Sequence, residues 1–97
     1  MQTYIVLVRW TQKGRENIKE SPARLEAAKD AFLAMGARVV GTYMVIGEYD
    51  LVLIAEAPDD ETMTRIALAL ASAGNVRTQT LRAYTEIEFR SLVEMLP

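Results

Sequence analysis

Val39-Val40-Gly41-Thr42-Tyr43-Met44-Val45-Ile46, then Gly47-Glu48-Tyr49, then Asp50-Leu51-Val52-Leu53-Ile54-Ala55: two apolar runs flank a glycine-led turn at the centre of the chain. Both are rich in β-branched residues and too short for solitary helices, so the pattern predicts strands over Ala37–Ile46 and Leu51–Ala55. A three-residue turn between them makes an antiparallel hairpin. Gly41 interrupts the first run and marks an expected bulge or close backbone approach.

Each side of this hairpin carries a helical pattern. Upstream, Ser21-Pro22 reads as an N-cap followed by proline at the first helical position, where a missing N–H costs nothing. Leu25, Ala28, Phe32 and Met35 then fall on one face, Arg24, Glu26, Lys29 and Asp30 elsewhere, and Gly36 supplies the stop. Downstream of Ala57-Pro58, Asp59 is the expected N-cap, Asp60 and Glu61 favour the helix dipole, and Met63, Ile66, Ala67 and Leu70 form the apolar stripe. Gly74 closes that helix. Further out, Tyr4–Trp10 and Asn75–Tyr84 read as strands, and Phe89, Leu92, Val93 and Leu96 give a last amphipathic helix from about Thr85. The polar stretch Thr11–Glu20 exceeds an ordinary connection and has room for a short helical turn. The order is β-α-β-β-α-β plus a C-terminal helix. This is an α+β, ferredoxin-like arrangement: a four-stranded antiparallel sheet, first and third strands central, both main helices on one face.

Ninety-seven residues make one domain, 1–97, and 51% apolar with 25% charged residues is ordinary globular composition. Eleven Lys and Arg against 13 Asp and Glu leave a net charge of −2, with no global positive field for nucleic acid. There is no Cys and no His, which removes disulfides, thiol nucleophiles, the usual zinc ligand sets and imidazole catalysis. No metal and no cofactor is expected. Met1-Gln2-Thr3-Tyr4 does not start a basic-then-apolar leader, and no apolar run approaches a membrane span, so a cytoplasmic protein without a membrane partner is expected.

A sheet with one face in water should alternate apolar and polar residues along its strands. These central strands do not. Ile5 and Leu7 oppose Tyr4, Val6 and Val8, while Leu51 and Leu53 oppose Val52 and Ile54. Leaving several large side chains in water would forgo roughly 1.5–3 kcal/mol each, so the second face needs a cover. A second copy packed sheet against sheet around a two-fold axis supplies one, which predicts a homodimer or a higher oligomer. The alternative cover is the C-terminal helix folding over its own sheet.

Tyr4–Trp10 followed by Thr11-Gln12-Lys13-Gly14, then Gly47-Glu48-Tyr49-Asp50-Leu51, then Gly74-Asn75-Val76-Arg77-Thr78 leading to Ala83-Tyr84-Thr85, together resemble the GYD-domain family. Ser21-Pro22-Ala23-Arg24-Leu25 and Ala57-Pro58-Asp59-Asp60-Glu61 also stand where that family has similar segments. The resemblance implies the dimeric α+β barrel superfamily, whose members include monooxygenases, small isomerases and ligand-sensing modules. Many of the catalytic ones use a His that this chain lacks.

The candidate site residues are Arg9, Trp10, Thr11, Lys13, Tyr43, Tyr49 and Asp50. Tyr49 and Asp50 offer a phenol and a carboxylate for hydrogen bonding or proton transfer, or else serve the turn itself. Thr11 and Lys13, with Gln12, Gly14, Arg15 and Asn17, form a polar loop after a central strand, suited to an anionic or carbonyl group or simply solvated. Arg9, Arg77 and Arg82 lie on neighbouring strands and either converge on a carboxylate or pair with Glu56, Glu86 or Glu88. Trp10 and Tyr43, with Tyr4 and Tyr84, line an aromatic pocket or an interface. Met35, Met44 and Met63 are expected in the core, and Glu56, Asp59, Asp60 and Glu61 read as a solvated helix start. Three functions remain: a homo-oligomeric module binding a small organic ligand, a cofactor-independent monooxygenase-like or isomerase-like enzyme using Tyr49 and Asp50, and a structural assembly component.

Overall fold

The computed structural model describes residues 1–97. Four strands, β1 (Gln2–Trp10), β2 (Arg38–Met44), β3 (Leu51–Ala57) and β4 (Val76–Ala83), form one sheet in the order β2-β3-β1-β4. All three pairings are antiparallel. Helices α1 (Gln12–Glu16), α2 (Ser21–Ala34), α3 (Asp60–Ser72) and α4 (Glu86–Glu94) complete the chain. This is the ferredoxin-like topology expected from the sequence, with β1 and β3 central.

Register divides the sheet cleanly into two faces. Tyr4 stands opposite Ala55 and Val6 opposite Leu53, and these side chains are buried beneath the helices with Val8 and Ala57. Phe32 of α2 and Met63 and Ile66 of α3 close that core, each at most 1% exposed. On the opposite face Ile5 pairs with Ile54 and Leu81, and Leu7 with Val52 and Gln79. These apolar side chains have only the sheet behind them. The doubly apolar reading of the central strands therefore describes a real open face.

The ends of the elements follow their local chemistry, with some departures. Asp59 caps α3 through its carboxylate, which accepts the Thr62 N–H at 2.8 Å. Hydrogen bonding with the Thr62 side chain, then with its N–H, holds the Asp59 carboxyl below the usual aspartate range. Thr85 caps α4 in a complete capping box with Glu88. Ser21 is not a cap: a 3-10 turn over Ile18–Glu20 runs straight into α2, so Ser21 is already helical and Glu20 occupies the cap position with no side-chain bond. Gly41 follows a register shift between Val39 and Gly41, but a Cβ there would meet only ordinary contacts, so the bulge is present and the close approach is not. Val45 and Ile46 belong to the turn, because β2 stops at Met44. Met63 is core as expected and Met35 packs against it half-buried, whereas Met44, last on an edge strand, is 65% exposed.

α4 does not cover its own sheet. Ile87, Phe89, Leu92, Val93, Met95 and Leu96 all remain exposed. The chain's longest dimension is 53 Å and its radius of gyration 14.6 Å, against about 12.5 Å for a compact domain of this length. Its accessible surface of 6,559 Å² likewise exceeds the roughly 5,600 Å² that size scaling gives. A projecting helix and an uncovered sheet face both add surface to the chain.

Candidate functional site

Between the sheet and the two main helices lies a cavity of about 290 Å³. Val8, Leu51 and Leu53 form its floor, while Ala27, Ala28 and Ala31 of α2 face Ala69 and Leu70 of α3 across it. Alanine explains the void: where facing helices carry only a methyl group, the space that Leu or Ile would fill stays open. The cavity is partly open to solvent, and its apolar wall offers water few partners.

Polar residues at the cavity are few: Ser21, Arg24, Asn75 and Thr78. Trp10 comes from the last position of β1, and its indole Nε1 is buried without a hydrogen-bond partner. An unpaired buried donor costs about 1–3 kcal/mol. Arg24 is held by the loop after β1, donating from Nη1 to the Asn17 carbonyl at 2.9 Å and from Nη2 to the Gly14 carbonyl at 3.2 Å.

That loop is stitched to the α3–β4 turn. Thr11 N–H donates to the Asn75 carbonyl at 3.0 Å and Thr11 Oγ1 to the Gly74 carbonyl at 2.6 Å, and the same hydroxyl accepts the Gly14 N–H. Lys13 Nζ donates to the Ala73 carbonyl at 3.1 Å. Gly14 sits so close to Asn75 that a Cβ would collide with its carbonyl oxygen. Thr11 and Lys13 thus act on the backbone around the cavity's rim, with Trp10 in its wall.

The remaining candidates lie elsewhere. Tyr49 folds across the open face: its O–H donates to Gln79 Oε1 at 2.6 Å, and the Arg9 guanidinium stacks 4.8 Å from its ring centroid. Arg9 also pairs with Glu48 at 2.5 Å. Tyr43 stands on the same face at the sheet's edge, 60% exposed. Asp50 joins strands: its Oδ2 accepts the Trp10 N–H at 2.9 Å, and its own N–H donates to the Val8 carbonyl at 2.9 Å. Tyr49 and Asp50 therefore serve different neighbours and do not converge on one cavity. Nor do the three arginines. Arg9 and Arg77 are register partners, whereas Arg82 stacks on Tyr84 at 4.5 Å and on Tyr4 at 5.7 Å on the helix side.

A second, polar cleft borders Tyr4, Asp60, Thr78, Thr80 and Arg82. Tyr4 O–H lies 2.5 Å from Asp60 Oδ1, with Gln2 Oε1 at 2.8 Å. Burial of the ring, then the bond to Asp60, raises the Tyr4 pKa to about 12. No three His, Cys, Asp or Glu side chains cluster as a metal site.

Of the residues expected from the sequence, Trp10 lines the cavity and Thr11 and Lys13 bind backbone at its rim, whereas Arg24 and the alanines are not among those expected. The available signal was the run of small residues at Ala27, Ala28 and Ala31 against Ala69 and Ala73, where helices packing on a sheet usually present larger side chains.

The chain is 43% identical over 84 residues to a Thermus thermophilus protein named "Glutamine synthetase and cystathionine beta-lyase binding protein", covering 86% of this chain and 88% of that one. A crystal structure of a Thermus thermophilus protein superimposes with a TM-score of 0.57 at 29% identity, covering 88% of this chain and 95% of the other. The profile of the GYD domain matches residues 4–93, from the first central strand through the stripe of α4. With nearly the whole chain matched and the ferredoxin-like sheet in place, this protein belongs to the GYD domain family.

Proposed function

We propose that this protein is a binding module that works as a homodimer and holds a small organic molecule between its sheet and helices. The observation that carries this reading is the alanine-walled cavity: an apolar space of about 290 Å³ with a few polar groups at its edge has the character of a ligand pocket. The open face of Ile5, Leu7, Val52, Ile54 and Leu81 supports assembly with a second copy, sheet to sheet. The enzymatic alternative draws less support, because the Tyr49 hydroxyl and the Asp50 carboxylate are committed to separate structural partners. A purely structural component would have no reason to keep the cavity. Thermal denaturation against a panel of small apolar compounds tests the reading: ligands raise the melting temperature of the native chain, and Ala28→Leu, which fills the cavity, abolishes the rise. A panel in which both proteins respond alike would contradict it.

A second reading, docking onto another protein, is favoured by the named relative and by the unpartnered stripe of α4. By that reading the dimer binds a metabolic enzyme of the kind the relative's name mentions. Surface plasmon resonance with glutamine synthetase and with cystathionine beta-lyase tests it, Phe89→Glu being expected to weaken any binding carried by α4.

A further inference from the structure

We infer that the cavity's ligand is an amphiphilic carboxylate, an apolar body of about a dozen heavy atoms whose acid group is taken by Arg24. This rests on the reading of the cavity as a binding site and adds the chemistry of its occupant. Volume sets the size: a 150 Å³ apolar cavity accommodates a benzene ring, so about 290 Å³ accommodates roughly twice that. The lining sets the body, since twelve of its sixteen residues are hydrophobic.

Charge sets the head group. Arg24 borders the cavity with its side chain 23% exposed, and the nearest carboxylate, Glu20, is 3.9 Å away and 73% exposed. Its two hydrogen bonds go to backbone carbonyls, which fix the guanidinium without cancelling its charge. Three of its five N–H donors remain for another partner. Lys13 and Arg15 behave alike, holding the Ala73 and Trp10 carbonyls rather than carboxylates. Residues 11–24 carry four cations and two carboxylates, in a chain whose net charge is −2. Arg24 is the one charged residue that lines the cavity. A planar carboxylate matches one guanidinium in a bidentate pair. A phosphate dianion would bring a second negative charge that this single guanidinium leaves unbalanced.

Trp10 is the only tryptophan, so its emission reports on the cavity directly. The test is fluorescence titration of the full chain with octanoate and with 1-octanol, which share a tail and differ in the head group. Octanoate is expected to bind about tenfold more tightly than octanol to the wild type. In Arg24→Gln that preference disappears while octanol affinity persists, which shows the variant still folded around its cavity. Arg24→Lys keeps part of the preference, and Ala28→Leu loses both ligands. Equal affinities in the wild type, or a preference unchanged in Arg24→Gln, would overturn the carboxylate while leaving a binding cavity. Silence of Trp10 toward both probes at millimolar concentration would remove the cavity reading itself, and this inference with it.

Discussion

At Gly14, Tyr4 and Asp50 single atoms determine how the elements meet. Gly14 is required by contact rather than by conformation, since its neighbour is the Asn75 carbonyl. Gly14→Ala forces the loop off the α3–β4 turn and is expected to lower stability by about 1–3 kcal/mol, measured by urea denaturation. Asp50→Ala strips the Trp10 N–H of its charged acceptor and is expected to cost about 1.5–3 kcal/mol, while Asp50→Asn, which keeps a side-chain oxygen, costs less. The same melts locate Asp50 in the scaffold or outside it. Tyr4 supplies a pH signature. Its folded pKa, about 12, lies above the unfolded value of 10, so its contribution is complete below pH 10. As pH rises from 10 toward 12 the unfolded chain releases the phenol proton while the folded chain keeps it, and stability falls. In Tyr4→Phe that part of the alkaline slope is absent from denaturation curves taken at successive pH values.

Among the elements, α4 is held least by the rest of the chain. Nine residues with an exposed apolar stripe are too few for a stable isolated helix in water. Its capping box carries much of its local order, so Thr85→Ala is expected to cost about 0.5–2 kcal/mol of α4 stability, seen as faster amide exchange confined to residues 86–94. The main elements were legible in the sequence because their periodicity is strong: both central strands, both long helices, the Asp59 cap and the Thr85 start all stand where the pattern puts them. Ser21 has the sequence of a cap without being one, because Pro22 marks a helix start equally well when a 3-10 turn precedes it. The candidate site was legible only in part. Trp10 borders the cavity, but Tyr49 and Asp50, adjacent in sequence, reach different partners: one folds over the open face while the other pairs with a strand end. Small side chains go unnoticed in a sequence reading because they mark what is absent, and a void appears only once two helices are placed across it. Ala28→Leu puts methyl groups into that void and is expected to leave stability unchanged or raise it by up to about 1 kcal/mol, where overpacking a filled core would lower it.

For the whole molecule, the open face and the exposed stripe of α4 are the surfaces on which the proposed assembly rests. Leu7→Glu, which places a charge at the centre of the open face opposite Val52, is expected to shift the chain toward a monomer in sedimentation equilibrium without unfolding it. In the proposed function, self-assembly and ligand binding fall on opposite faces of one sheet, so a cavity variant such as Ala28→Leu should leave the subunit number unchanged. Native mass spectrometry of gently purified protein reads both properties in one spectrum. The expected particle contains two 10.9 kDa chains, or a multiple of two, each carrying roughly 150–250 Da of bound organic acid. A bare 10.9 kDa monomer at micromolar concentration would contradict both the covered sheet face and the occupied cavity.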